Sequence, residues 1–246
     1  MSCQPDTKNK VYIWLKNKQS CLLCDETTDT ALPLCTPCEN QLPWLVEHCL
    51  RCALPMGLSG GVCADCLKRP PAFQLVHAPW IYGFPVDSLI SHFKHRSNWP
   101  FGYLLAELLG RSLQDRFEHG LARPSALLPV PMTDTRQRQR GYNQATMLAQ
   151  WLSRRLALPC HEHLLLRVQD TPAQQQLDAK ARRRNVLQAF ALTDPSQVEG
   201  LHLALVDDVL TTGATAQALA RLLLRAGAVR VDIYCLARTP KPGSPT

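Results

Sequence analysis

Beyond residue 71 the apolar residues of this chain recur with the periods of regular structure, whereas the stretch before it is rich in turns and poor in core. Phe73 to Phe84 is dense in aromatic and β-branched side chains (Val76, Trp80, Ile81, Tyr82) and predicts a strand with its turn. Helical spacing runs from about Pro85 to His95. It runs again from Pro100 to Glu118, where Leu104, Leu105, Leu108, Leu109 and Leu113 form one stripe. Ala126 to Val130 reads as a buried strand closed by Pro129 and Pro131. A loop follows from Thr133 to Gln144, then a helix through Leu156 and a short strand around His163 to Arg167. Val168 to Asn185 is polar. Leu203 opens a further apolar run, a helix pattern covers about Ala214 to Ala226, and Val229 to Leu236 is a last strand. Strands alternating with helices predict an α/β fold with a mainly parallel sheet.

One stretch of this pattern carries chemistry. The apolar strand Leu203 to Val206 is expected to stop at two adjacent carboxylates, Asp207 and Asp208. After Val209 and Leu210 come Thr211, Thr212, Gly213, Ala214 and Thr215, all small, and then the helix. The first N–H groups of a helix lack intrahelical partners and sit at the positive end of its dipole, so they suit a phosphate. Threonine hydroxyls add donors, and Gly213 permits a backbone geometry that a larger residue resists. Ionised carboxylates only accept hydrogen bonds, which suits vicinal hydroxyls. The ligand implied has a phosphate at one end and a ribose diol beside it.

The cysteines of the first part are spaced as a duplication. Cys21, Cys24, Cys35 and Cys38 recur 28 residues on as Cys49, Cys52, Cys63 and Cys66, each set two Cys-x-x-Cys turns ten residues apart. Each turn presents two sulfurs to one ion, so each set is a candidate structural Zn²⁺ site with four thiolates and no open coordination position. Disulfides and a redox switch are the competing readings of the same spacing. Pro33, Gly57, Gly60 and Gly61 lie in the loops, and neither cassette has the apolar residues to fold without metal.

Composition refines this picture. The chain has 246 residues and 11 cysteines, with a formal net charge of +7. Residues 1–71 balance to zero, and 20 of the 27 basic and 13 of the 20 acidic residues lie beyond them. Four thiolates on each Zn²⁺ would leave the ribbons acidic, so phosphates or nucleic acid are expected at the later part. Candidates there are Arg136, Arg138 and Arg140, on the rim where the parallel strands end, and Arg182, Arg183 and Arg184 in the long polar connection. That connection reads as a mobile lid, as a helix face touching nucleic acid, or as a solvated segment. No apolar run is long enough for membrane insertion, and no secretory segment is visible near the N-terminus, so a cytoplasmic protein with reduced thiols is expected.

The Val206 to Thr215 stretch resembles the signature of the type I phosphoribosyltransferases, which bind 5-phosphoribosyl-1-pyrophosphate (PRPP). With the four Cys-x-x-Cys pairs, Tyr82, Phe93-Lys94-His95, Pro129-Val130-Pro131, Arg140-Gly141-Tyr142-Asn143-Gln144 and Arg182 to Asn185, the chain resembles the ComF/GntX family. The organisation this implies is a lead-in (1–20), a double zinc ribbon (21–71) and a parallel-sheet phosphoribosyltransferase-like domain (72–246). The resemblance implies that Asp207 and Asp208 hold the ribose hydroxyls while Thr211, Thr212, Gly213, Ala214 and Thr215 cradle the 5′-phosphate, with Mg²⁺ on the pyrophosphate. It further implies a role in competence-related DNA uptake or DNA utilisation, with single-stranded DNA and a helicase-like DNA-uptake protein as partners. Two alternatives stay open: an active phosphoribosyltransferase on an unknown nucleobase or amine acceptor, and a PRPP-responsive regulatory or docking protein. No catalytic base stands out.

Overall fold

The computed structural model describes residues 19–57, 60–96, 98–168 and 189–241. These fall into two compact units, 1–42 and 43–246. The boundary at residue 71 expected between ribbon and sheet domain therefore falls inside the larger unit. Arg182, Arg183, Arg184 and the polar connection from residue 169 onward lie outside the described residues.

Described by itself, the first unit is a cysteine knuckle. Leu32, Leu34 and Leu42 are buried beside Cys21 and Cys35, and a short helix α1 (Thr36–Asn40) carries Cys38. The second cassette repeats this backbone within the larger unit, ending in helix α2 (Ala64–Lys68).

The sheet of the larger unit is parallel throughout its ladder. β1 (Val76–His77) and β2 (Trp80–Ile81) are two pieces of one edge strand, since both pair with β7 (Arg230–Arg238). β7 pairs with β6 (His202–Leu210), which pairs with β3 (Ala126–Pro129). Val206 aligns with Pro129 on one side and Tyr234 on the other, so β6 is central and its apolar run is buried on both faces. The chain from Pro43 to Leu45 lies antiparallel against β2. Leu45 N–H donates to Pro79 O at 2.7 Å, and Ile81 N–H donates to Pro43 O at 2.8 Å.

Helices α3 (Val86–Arg96), α4 (Trp99–Glu118) and α6 (Gln144–Leu156) pack together over one face. The expected leucine stripe of α4 is buried along its length, each leucine contributing about 1.5–3 kcal/mol relative to exposure. On the other face α7 (Ala214–Arg225) packs through Leu219 and Leu223, beside the antiparallel pair β4 (Leu165–Arg167) and β5 (Phe190–Leu192).

Two local readings need correction. β6 does not stop at the carboxylates but runs through both to Leu210, because Leu210 still pairs with Arg238. The segment after Pro131 is not all loop: Asp134–Arg140 is a helix, α5. Thr133 caps it by accepting from Arg136 N–H at 3.4 Å, and Gly141 ends it at φ 81°.

Candidate functional site

The carboxyl ends of β3, β6, β7 and β2 share one rim, and the acidic pair lies on it. Pairing between β6 and β7 lapses at Asp208, whose N–H donates instead to Asp207 Oδ1 at 2.9 Å. Asp207 is half-buried, and its carboxyl is pushed up to about 7, first by burial and then by the neighbouring Asp208; the Asp208 N–H and Lys94 pull the other way. Asp208 is ion-paired with Lys94 Nζ at 2.9 Å, with both side chains largely covered. The site is thus a carboxylate pair with one cation already stationed against it.

Lys94 and Asp208 lie far apart along the chain, so no local pattern shows their pairing. The position of Lys94 follows from its neighbour Phe93. The Phe93 ring is fully buried between Trp151 and Tyr142, with centroids at 5.9 and 5.8 Å. It lies so close to α4 that a Cβ on Gly102 would come within 2.4 Å of it. The Tyr142 hydroxyl donates to Phe93 O, and Gln144 Nε2 reaches Lys94 O at 3.5 Å. Asn143 caps α6 through Ala145 N–H and donates to Val130 O at 3.0 Å. The residues from Arg140 to Gln144 therefore brace the end of α3 against the end of β3.

The loop after β6 is short and built of small residues before α7 begins. Gly213 sits at φ 75°, where any other residue would be strained, and opens α7 with no side chain capping the helix. Thr211, Thr212 and Ala214 are exposed, and Thr212 Oγ1 accepts from Ala214 N–H at 3.4 Å. Gly213 supplies no capping side chain and Thr212 takes up only the Ala214 N–H, so the start of α7 retains amides suited to an anion. Arg136 and Arg138 are exposed on α5, beyond the end of β3. Arg140 is partly covered and its guanidinium donates to Gln144 Oε1 at 3.4 Å, so part of its binding capacity is directed inward.

Among the described residues, the thiols gather in two tetrads, Cys21/Cys24/Cys35/Cys38 and Cys49/Cys52/Cys63/Cys66, with all four sulfurs of each within 4.8 Å of one another. Cys24 and Cys35 sulfurs are 3.7 Å apart, as are those of Cys52 and Cys63. Tetrahedral zinc with Zn–S near 2.3 Å requires sulfurs about 3.8 Å apart, so both tetrads fit the ion and neither is drawn in to disulfide distance. Burial raises the Cys21 and Cys49 thiols, but backbone N–H groups around each outweigh it and leave both near 7. Burial and neighbouring thiols push Cys38 and Cys66 well up. Four sulfurs cannot all ionise without a cation, and a zinc ion supplies that charge.

Comparison with known proteins agrees with this layout. The double zinc ribbon domain matches residues 18–67, and the phosphoribosyl transferase domain matches residues 126–245. The DNA utilization protein YhgH of Salmonella typhi is 36% identical over 84% of this chain and 90% of its own length. The chain belongs to the ComF/GntX family. Within that family, competence protein F of Haemophilus influenzae is 35% identical over 83% of this chain and 90% of its own. Competence protein ComFC of Bacillus subtilis is 29% identical over 91% and 96%. The ComF-type organisation, a double zinc ribbon with a phosphoribosyltransferase-like parallel sheet, therefore holds for this chain.

Proposed function

We propose that this ComF-type protein binds PRPP at the rim of its sheet and acts in competence-related DNA uptake or DNA utilisation. The observation that carries the reading is the juxtaposition at the end of β6: two adjacent carboxylates, then a helix N-terminus entered through Gly213 on a loop of small residues. Asp207 and Asp208 accept the ribose hydroxyls, while the loop from Thr211 to Thr215 donates to the 5′-phosphate. Lys94 moves from Asp208 toward the incoming phosphates, exchanging one anionic partner for another. Magnesium bound with the ligand would supply the charge that offsets the pyrophosphate. Arg136 and Arg138 lie where a pyrophosphate or a single strand of DNA would meet them. The DNA role rests on the names of the relatives and on the basic balance beyond residue 71. A helicase-like partner and a cytoplasmic location belong to the same reading. Among the described residues, no helix is long and apolar enough to cross a membrane.

Calorimetry with PRPP·Mg²⁺, with and without single-stranded DNA, tests this reading. The wild type should bind, and Asp207→Asn with Asp208→Asn should abolish binding while remaining folded. Because the diol needs ionised acceptors, affinity should rise with pH through the raised value of Asp207, near 7. Unchanged affinity in the double variant would refute the assignment. Release of pyrophosphate that depends on an added acceptor would mark a transferase, and binding without turnover a sensor or docking protein.

A further inference from the structure

Arg238 is the last residue of β7, and it is buried, only 8% exposed. A buried arginine is costly unless its donors are satisfied. Here Nε and Nη1 are directed at backbone carbonyls from separate parts of the chain. Nε donates to Cys52 O at 3.0 Å, and Nη1 lies within reach of Leu210 O (3.0 Å), Thr211 O (2.5 Å) and Thr239 O (2.6 Å). Thr239 N–H closes the same knot by donating to Leu210 O at 3.1 Å. Cys52 belongs to the second cysteine tetrad, while Leu210 and Thr211 begin the loop that runs to Gly213. One guanidinium therefore holds the backbone of a metal-ligand residue and the root of the anion loop at once.

The surroundings make this tie specific to the second cassette. Ala53, next to Cys52, has no exposed surface and belongs to the sheet core with Leu205, Leu210 and Cys235. Arg51 Nη1 donates to Gln74 O at 3.2 Å and to Gln74 Oε1 at 2.9 Å, and Lys241 is ion-paired with Asp65 at 2.5 Å. The carbonyl of Cys52 stays in place only while the turn from Cys49 to Cys52 keeps its shape, and four thiolates keep that shape when they share an ion. The geometry points to Arg238 as a positioning residue that couples occupancy of the second zinc site to the order of the loop from Thr211 to Thr215. Loss of zinc at that site would free the Cys52 carbonyl, leave a buried guanidinium donor unpaired and loosen the loop. Among the described residues, the carbonyls that Arg238 meets all lie in the larger unit, so the first cassette serves as the control. The functional consequence rests on the proposed phosphate role of the loop; the structural coupling does not.

The test is amide hydrogen exchange on the full, zinc-loaded chain, read over residues 208–217. Cys63→Ser with Cys66→Ser removes the second site, and Arg238→Lys keeps the charge but cannot reach both sides. Each should speed exchange in this segment by roughly tenfold or more, the loss of a charge-assisted hydrogen bond. Combining them should add nothing, because both break one link. Cys35→Ser with Cys38→Ser should leave the segment unchanged. PRPP·Mg²⁺ affinity should fall together with the exchange protection. An unchanged segment after loss of the second site overturns the proposal, as does a rise shared equally by the buried leucines of α4, which would mean general loosening. Additive effects of the two changes overturn it as well. If the coupling is found but the wild type binds no PRPP, the phosphate role of the loop falls and the coupling stands.

Discussion

The two cysteine cassettes share a backbone down to individual hydrogen bonds, yet they are built into the protein differently. Asp25 N–H donates to Cys21 O, and 28 residues later Ala53 N–H donates to Cys49 O, both at 2.9 Å. Leu22 to Pro33 and Leu50 to Gly61 correspond in the same way, both at 3.0 Å, as do the bridges Ser20–Thr27 and His48–Pro55. Even the left-handed residue recurs, Asp25 at φ 62° and Ala53 at φ 52°. Metal-site geometry is thus dictated by local spacing, since two sequences with little else in common reach the same turns. What differs is the side chain at the repeated position. Asp25 is exposed and tolerates a left-handed backbone, as aspartate does; Ala53 is fully buried in the core of the sheet. The first cassette is a compact unit of its own, and the second is part of the unit that holds the candidate site.

The comparison is most sharply tested by exchanging the residues at that position. Ala53→Asp places an unpaired carboxylate in the sheet core and should cost at least about 3 kcal/mol, or prevent accumulation of folded protein. Asp25→Ala, at the equivalent exposed point of the first cassette, should change stability by no more than about 1 kcal/mol. Chemical denaturation of the two variants side by side reads the difference, and similar losses would mean the cassettes are equivalent after all. A smaller effect is expected from Arg51→Leu, which removes the bonds to Gln74 and should cost about 1 kcal/mol. Arg51 corresponds to Leu23 in the first cassette, so this variant gives the second turn the side chain of the first. A stability equal to wild type would show that the Gln74 contact contributes nothing.

How much of this was legible in the sequence depended on distance along the chain. The cassettes, the α4 leucine stripe and the order of strand, loop and helix at Leu203 to Arg225 are local patterns, and the structure follows them closely. The residues of α5, Asp134 to Arg140, contain no apolar period and so give no helical signal; the helix forms through Thr133 and Gly141 at its ends. β6 was expected to end at its acids because carboxylates break a hydrophobic run, but its hydrogen bonds depend on β7, which continues beside it. Lys94 on Asp208 and Arg238 beneath Cys52 were not legible at all. A lysine on a helix and an arginine near a chain end usually read as solvated, and only tertiary packing covers these two.

The central claim is that the second cassette is part of the unit that carries the phosphoribosyltransferase-like sheet, whereas the first is a compact unit of its own. Comparing chains shortened to residues 43–246 and to residues 72–246, by zinc analysis, thermal unfolding and PRPP·Mg²⁺ binding, tests it most directly. The account predicts that 43–246 holds about one zinc per chain, unfolds cooperatively and binds as the full chain does. It predicts that 72–246, which lacks Cys52, Ala53 and the Pro43–Leu45 edge, is unstable and does not bind. Equal behaviour of the two shortened chains, or collapse of 43–246, would contradict it.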